Sequence, residues 1–286
     1  MKIKNWDWDN SKRLYVRRGF TDDVESKIGK HGDVVQKEMY NPRKVRWYNS
    51  FEMAQQIRFM ICLEWIRQHF QDLARKEKKK RLIIDLGCSR SFVYQFWRHN
   101  CNYFGWPQIH YWGVDANYKR IEEGRNMFVK KKNDRVVYFL ADLARPLRFP
   151  AKADVVVCME VIEHLPPRKV LYLLNNVKNA LNSTGIAIIS SPNPESKGEW
   201  VWENSEESHH YEYTWKEARK IFENNGLVIL DRTGVLPYRN YRSTTTNPYR
   251  NQIANYLPAP LVNNVLLTGE VNMYKKKMWI CKVKKS

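Results

Sequence analysis

From Leu82 to Asp231 the chain alternates short, β-branched apolar runs with segments whose apolar residues recur at helical spacing, and few architectures tolerate that alternation. The runs Leu82–Leu86, Tyr111–Asp115, Val136–Leu140, Asp154–Met159, Gly185–Ser190 and Leu227–Asp231 have the length and composition of strands. Phe92–His99, Tyr118–Lys130, Arg168–Leu181 and Thr214–Asn225 separate or follow them as helices. Consecutive parallel strands need a crossover, so this series builds a parallel sheet with helices on both faces. With Lys277–Val283 as a terminal strand, the expectation is an α/β fold: a doubly wound, mostly parallel seven-stranded sheet.

Two segments flank this core. The first fifty residues are polar, aromatic and interrupted by Gly19, Gly29, Gly32 and Pro42, which suggests an irregular arm. After Ser50, a plausible N-cap, Phe51 to Lys76 lacks Gly and Pro and places Phe51, Ala54, Ile57, Ile61 and Trp65 on one helical stripe. The division expected is therefore a basic arm and long helix over 1–81 and a catalytic domain over 82–286. Residues 232–274, rich in Tyr, Asn, Thr and Pro, form an insertion before the last strand. No apolar run is long enough to span a bilayer and no signal-peptide core opens the chain, so a cytoplasmic protein is expected. Five cysteines, odd in number and without a C-x-x-C pair, read as free thiols of a reducing compartment.

The net charge of +19 is unevenly spread. Residues 1–81 hold 20 Lys and Arg against 11 Asp and Glu, residues 82–234 hold 20 against 18, and residues 235–286 hold 9 against 1. A nearly neutral centre between basic flanks points to a polyanionic partner, nucleic acid or an anionic surface, met by the flanks. Cations and rings also mix there: Trp6, Trp8, Arg13, Tyr15, Arg17, Arg18, Arg43, Lys44, Arg46, Trp47 and Tyr48, then Tyr238, Arg239, Tyr241, Arg242, Tyr249 and Arg250. That mixture suits phosphate contact with base stacking, and equally an aromatic lid over a small substrate.

In an open parallel sheet, ligands bind beyond the carboxyl ends of the strands. Asp85-Leu86-Gly87-Cys88-Ser89-Arg90-Ser91 follows the first core strand, where small residues admit a ligand to the backbone. Asp115 ends the second, where a carboxylate can accept both hydroxyls of a ribose. Asp142 and Leu143 follow the third, beside the place an adenine would take. Glu160 follows the fourth.

In this the chain resembles the class I S-adenosylmethionine-dependent methyltransferases, over residues 80–231. Their first turn reads Asp-x-Gly-x-Gly-x-Gly; here Asp85 and Gly87 are kept, with Ser89 and Ser91 at the other two glycine positions. The resemblance implies a methyl donor held by Asp85, Gly87, Cys88, Ser89, Asp115, Asp142, Leu143 and Glu160. A nicotinamide enzyme would need Gly-x-Gly-x-x-Gly in this turn, which is absent.

A second constellation is Glu160-Val161-Ile162-Glu163-His164, with His209-His210-Tyr211-Glu212-Tyr213-Thr214 downstream. On a helical turn Glu160, Glu163 and His164 share one face, and a histidine from the later loop completes two carboxylates and two imidazoles for a divalent ion. This pattern is similar to that of the small-RNA 3′-terminal 2′-O-methyltransferases, and the ubiquinone-pathway O-methyltransferases carry the same Glu-x-x-Glu-His segment. The first likeness implies Glu160, Glu163, His164 and His209 as metal ligands, with Glu160, His164 and His209 in catalytic roles; without metal, His164 or His209 would serve as a general base. The same residues can also line the donor pocket and cap a helix without any metal.

The segment after the fourth strand contains no Asn/Asp-Pro-Pro-Tyr/Phe, and no Pro-Cys pair offers a thiolate nucleophile. Both omissions favour an oxygen acceptor. Three readings stay open: nucleic-acid O-methylation, small-molecule or glycan O-methylation, and a non-catalytic binding module with a degenerate turn.

Overall fold

The structure, a computed structural model, describes residues 5–12, 14–18, 20, 50–75, 80–128, 136–194, 209–237 and 276–286. It opens with a hairpin of β1 (Trp6–Asp9) and β2 (Leu14–Arg17), followed by α1 (Ser50–Ala74) and β3 (Arg81–Leu86). Next come α2 (Phe92–Phe104), β4 (Ile109–Asp115), α3 (Tyr118–Phe128), β5 (Val136–Leu140) and β6 (Ala153–Met159). A short 3-10 turn (Ile162–His164) leads to α4 (Pro167–Ala180), β7 (Leu181–Pro192), α5 (Trp215–Asn224), β8 (Leu227–Pro237) and β9 (Lys276–Lys285).

Among the described residues these strands form one sheet in the order β1-β2-β5-β4-β3-β6-β7-β9-β8. From β2 through β7 all neighbours are parallel, while β9 runs antiparallel to both β7 and β8. The doubly wound α/β fold is thus present, with nine strands where seven were expected. The extra pair is the hairpin, in a segment read as an irregular arm; β2 pairs with β5 at Tyr15 and Val16. Its four-residue strands are too short for their own periodicity to stand out, and what holds them is burial. Trp6 is buried, meets the Phe139 ring edge-on at 4.8 Å, and donates its Nε1 hydrogen to the Arg148 carbonyl. Trp6 and Tyr15, which stacks on Phe139, are therefore sheet-packing rings, and of this flank's described aromatics Trp8 stands exposed.

One face of the sheet is covered by α1, α2 and α3 through residues such as Ile66, Trp97 and Ile121. The other is covered by α4 and α5 through Leu174 and Phe222. Several boundaries also moved. α2 continues past His99 until Gly105 takes a left-handed backbone, and β8 continues through Pro237 into the segment read as an insertion. β7, expected over Gly185–Ser190, begins at Leu181 and runs on through Ser191 to Pro192. Residues 238–275, with the flank residues Tyr238 to Arg250, lie outside the described residues, as do Arg13 and Arg43 to Tyr48. No helix among the described residues is long and apolar enough to cross a membrane.

Candidate active site

The site is assembled at the carboxyl ends of β3, β4, β5 and β6. Three non-glycine residues there have left-handed backbones: Ser89 (φ 47°), Ser91 (φ 61°) and Glu160 (φ 55°). Such conformations are costly for residues with a Cβ and collect where geometry matters more than ease. The two serines stand where the resemblance calls for glycine, so the turn keeps the glycine conformation with side chains attached. Gly87 (φ 80°) is a real requirement, since a Cβ there would lie 2.3 Å from Val161 Cγ2. The amides of Gly87 and Cys88 both donate to the Val114 carbonyl, tying the turn to β4.

Asp115 accepts the backbone amides of Ser89 (2.7 Å) and Asn117 (2.8 Å). Burial raises its pKa, opposed by those amides and by Arg120. The result is a carboxylate aimed by the first turn it faces. Asp142 accepts the Ala144 amide at 2.8 Å and lies 3.4 Å from Arg145 Nε. Its loop is anchored from below, because the buried side chain of Asn176 on α4 accepts from the Leu147 amide and donates to the carbonyls of Leu143 and Arg145. Leu143 is buried beside it. Asn176 carries no motif and was missed; an Asn on the apolar stripe of a helix is the signal that could have revealed it.

Asp85 is set inside the sheet, near enough to Asp115 for the two charges to interact. Its carboxylate is buried in the sheet and accepts the Tyr111 hydroxyl at 2.6 Å. Burial pushes its pKa up to about 7, with the Tyr111 hydrogen bond working against the shift and the Asp115 charge adding to it. Cys88 is buried in the same region and its thiol is likewise held protonated.

At the end of β6, the Glu160 carboxylate is held by Arg58, which the sequence did not single out, and by Ser190 near the end of β7. Arg58 of α1, itself buried, reaches Glu160 Oε1 at 2.7 Å, and Ser190 Oγ donates to the same oxygen at 2.8 Å. Glu163 is wholly buried; Ser191 Oγ donates to its Oε2 at 3.1 Å, while its Oε1 has no hydrogen-bond partner among the described residues. Burial, reinforced by the Glu160 charge, raises the Glu163 pKa well above the usual carboxylate range. The rings of His164 and His209 meet edge to face at 4.7 Å. Among the described residues, ligand atoms of Glu163, His164 and His209 all come within 4.8 Å of one another. Glu160, expected as a fourth ligand, is not part of that group because it is turned to Arg58. Sequence proximity could place Glu160, Glu163 and His164 together, but only the docking of the 209–214 loop brings His209 to them. That docking is direct: the amides of His210 and Tyr211 donate to the Glu163 carbonyl.

Sheet order, a glycine-type turn after β3, acids after β4 and β5, and a glutamate after β6 define a class I S-adenosylmethionine-dependent methyltransferase. The methyltransferase domain family matches residues 55–231, well over half of the 286 residues, and the chain belongs to it. Among relatives, a ubiquinone biosynthesis O-methyltransferase of Rickettsia typhi is 25% identical over 169 residues, 56% of this chain; the match spans 62% of that relative's length. Among solved structures, magnesium protoporphyrin IX methyltransferase from Synechocystis PCC 6803, with bound SAH, aligns over 93% of this chain and 99% of its own (TM-score 0.57, 16% identity). Small RNA methyltransferase HEN1 aligns over 81% of this chain and 25% of its own (TM-score 0.53, 16% identity).

Proposed function

We propose that the chain methylates an oxygen acceptor, with nucleic acid the favoured substrate class. In this reading the turn at Gly87, Cys88 and Ser89 cradles the donor, Asp115 accepts the ribose hydroxyls, Asp142 and Leu143 meet the adenine, and Glu160 faces the methionyl end. Asp85 supports the turn from within the sheet. S-Adenosylmethionine supplies an electrophilic methyl group on sulfonium sulfur, and the chain's part is to align an acceptor oxygen for in-line attack.

The observation that carries an oxygen acceptor is the cluster of Glu163, His164 and His209 beside the donor strands. A fully buried carboxylate oxygen with no partner among the described residues is costly, and a cation would satisfy it. One carboxylate and two imidazoles suit a divalent ion such as Mn²⁺, which would acidify and orient an acceptor hydroxyl. Glu163, His164 and His209 would hold it, and Glu160 would join them on release from Arg58. Lacking metal, either histidine could take the acceptor proton. The basic flanks within 1–81 and 235–286 would carry the polyanion and 82–286 the chemistry, although β1, β2 and α1 share the domain's sheet and core.

The test is a methyl-transfer assay with labelled donor against RNA, DNA and metabolite extract, with and without chelator. Label in RNA, abolished by chelator, with binding that weakens steeply as salt rises, is the expected result. Label confined to metabolites would favour the second reading, a small-molecule O-methyltransferase, which the ubiquinone-pathway relative supports. Folded protein that binds no S-adenosylhomocysteine at millimolar ligand would leave a non-catalytic module.

A further inference from the structure

His209 does not stand in the cluster unsupported. Its Nδ1 lies 2.7 Å from Glu212 Oε1, three residues on in the same loop. A carboxylate at neutral pH can only accept, so this contact places a proton on Nδ1 and leaves Nε2 as the nitrogen with a free lone pair. A ring nitrogen of His209 lies within 4.8 Å of ligand atoms of Glu163 and His164. With Nδ1 committed to Glu212, Nε2 is the nitrogen left to ligate.

The loop that carries both residues is fastened at each end. At its start the amides of His210 and Tyr211 bond to the carbonyl of Glu163, the residue whose carboxylate belongs to the cluster. At its end Thr214 and Glu217 form a reciprocal capping box at the start of α5, and the Trp279 indole donates to the Tyr213 carbonyl. The Tyr211 hydroxyl also donates to Glu217 at 2.6 Å, so that carboxylate is occupied, and among the described residues Glu212 is the carboxylate directed at the imidazole. Backbone position is therefore secured without Glu212, and its hydrogen bond governs the ring's tautomer and rotation.

We infer that Glu212 is a positioning residue, holding His209 as the Nδ1–H tautomer so that Nε2 faces the Glu163–His164 pair as a ligand for a divalent cation. The inference rests on the metal reading above. Ligand imidazoles commonly give their second N–H to a carboxylate, and losing that carboxylate typically weakens metal binding about 10- to 100-fold.

The experiment uses the full chain and Mn²⁺ alone as the probe. Mn²⁺ affinity is measured by calorimetry for the parent, Glu212→Ala and Glu212→Gln, with S-adenosylhomocysteine affinity as the control for an intact donor site. The His209 tautomer is read separately, in metal-free protein, from its ¹⁵N ring resonances. The expected results are an Nδ1–H tautomer in the parent, a drop in Mn²⁺ affinity of roughly 10- to 100-fold for Glu212→Ala, a smaller drop for Glu212→Gln, whose amide oxygen can still accept, and S-adenosylhomocysteine affinity unchanged. Equal Mn²⁺ affinity in parent and Glu212→Ala, or an Nε2–H tautomer in the parent, overturns the role of Glu212 while leaving the metal reading standing. A parent that binds no Mn²⁺ overturns both. If Glu212→Ala loses S-adenosylhomocysteine binding as well, Glu212 is structural and the inference fails.

Discussion

Replacing each left-handed serine of the first turn by glycine separates two effects that the structure sets against each other. Holding a residue with a Cβ in the left-handed region costs about 1–2 kcal/mol. Glycine removes that cost but gives back about 0.5–1 kcal/mol through the freer unfolded chain. At Ser89 little else is at stake. Its hydroxyl lies 3.4 Å from Arg120 Nη1, a long contact, and its bond to Asp115 uses the backbone amide, which glycine retains. Ser89→Gly should therefore stabilise the protein by about 0.5–1 kcal/mol, a rise in Tm of roughly 1–4 °C for a domain of this size.

At Ser91 the opposite term is larger. Its hydroxyl, fully buried, donates to the buried Tyr138 hydroxyl at 3.0 Å. Removing one partner of a buried hydrogen bond costs about 1–3 kcal/mol, which cancels or exceeds the relief of strain. Ser91→Gly should be neutral to destabilising by about 2 kcal/mol on the same accounting. Tyr138→Phe in the Ser91→Gly background, which removes the orphaned hydroxyl, should recover most of the loss. Urea denaturation of the three variants, with and without S-adenosylhomocysteine, is the assay. A Ser89→Gly variant no more stable than the parent would refute the strain accounting. A Ser91→Gly variant as stabilised as Ser89→Gly would refute the hydrogen-bond accounting.

Other consequences follow from the same geometry. Arg58→Ala leaves the Glu160 carboxylate without its buried partner and should cost about 3 kcal/mol, partly recovered by Glu160→Gln, as read from denaturation midpoints. Trp6→Ala should cost about 3–5 kcal/mol of local stability and detach the hairpin from β5; faster amide exchange confined to β2 and β5 is the expected signature, and uniform loss across the sheet would contradict it. Asp85 has a folded pKa raised to about 7, so the folded state binds its proton more tightly than the unfolded chain does. That works against folding as pH rises from about 4 to about 7 and adds nothing further above that. Asp85→Asn should accordingly lose less stability than the parent between pH 5 and pH 8, and equal losses would count against a buried, protonated Asp85.

The hairpin and Arg58 show why part of the fold and site was illegible in the sequence. β1 and β2 offer four residues each, too few to display a period, and their strand character comes from pairing with β5 across more than a hundred residues. Arg58 looks like any basic residue of a long helix until packing buries it against the end of β6. Ser190 and Ser191 show no sign of their partners until β7 is seen to carry their hydroxyls onto the two glutamates.

Local order, by contrast, is written into neighbouring residues. The alternation from Leu82 to Asp231 determined the doubly wound sheet, because a strand's apolar run and a helix's stripe are each complete within one element. It also put Gly87, Asp115, Asp142 and Glu160 at strand ends, where such a sheet opens to ligands. Only the tertiary structure decided which of the acids face one another. It turned Asp85 to Tyr111 and Glu160 to Arg58, and it left Glu163 with His164 and a His209 delivered by a loop 45 residues downstream. Those choices depend on contacts between separate elements and on the desolvation that packing imposes, and neither quantity exists in a segment read alone.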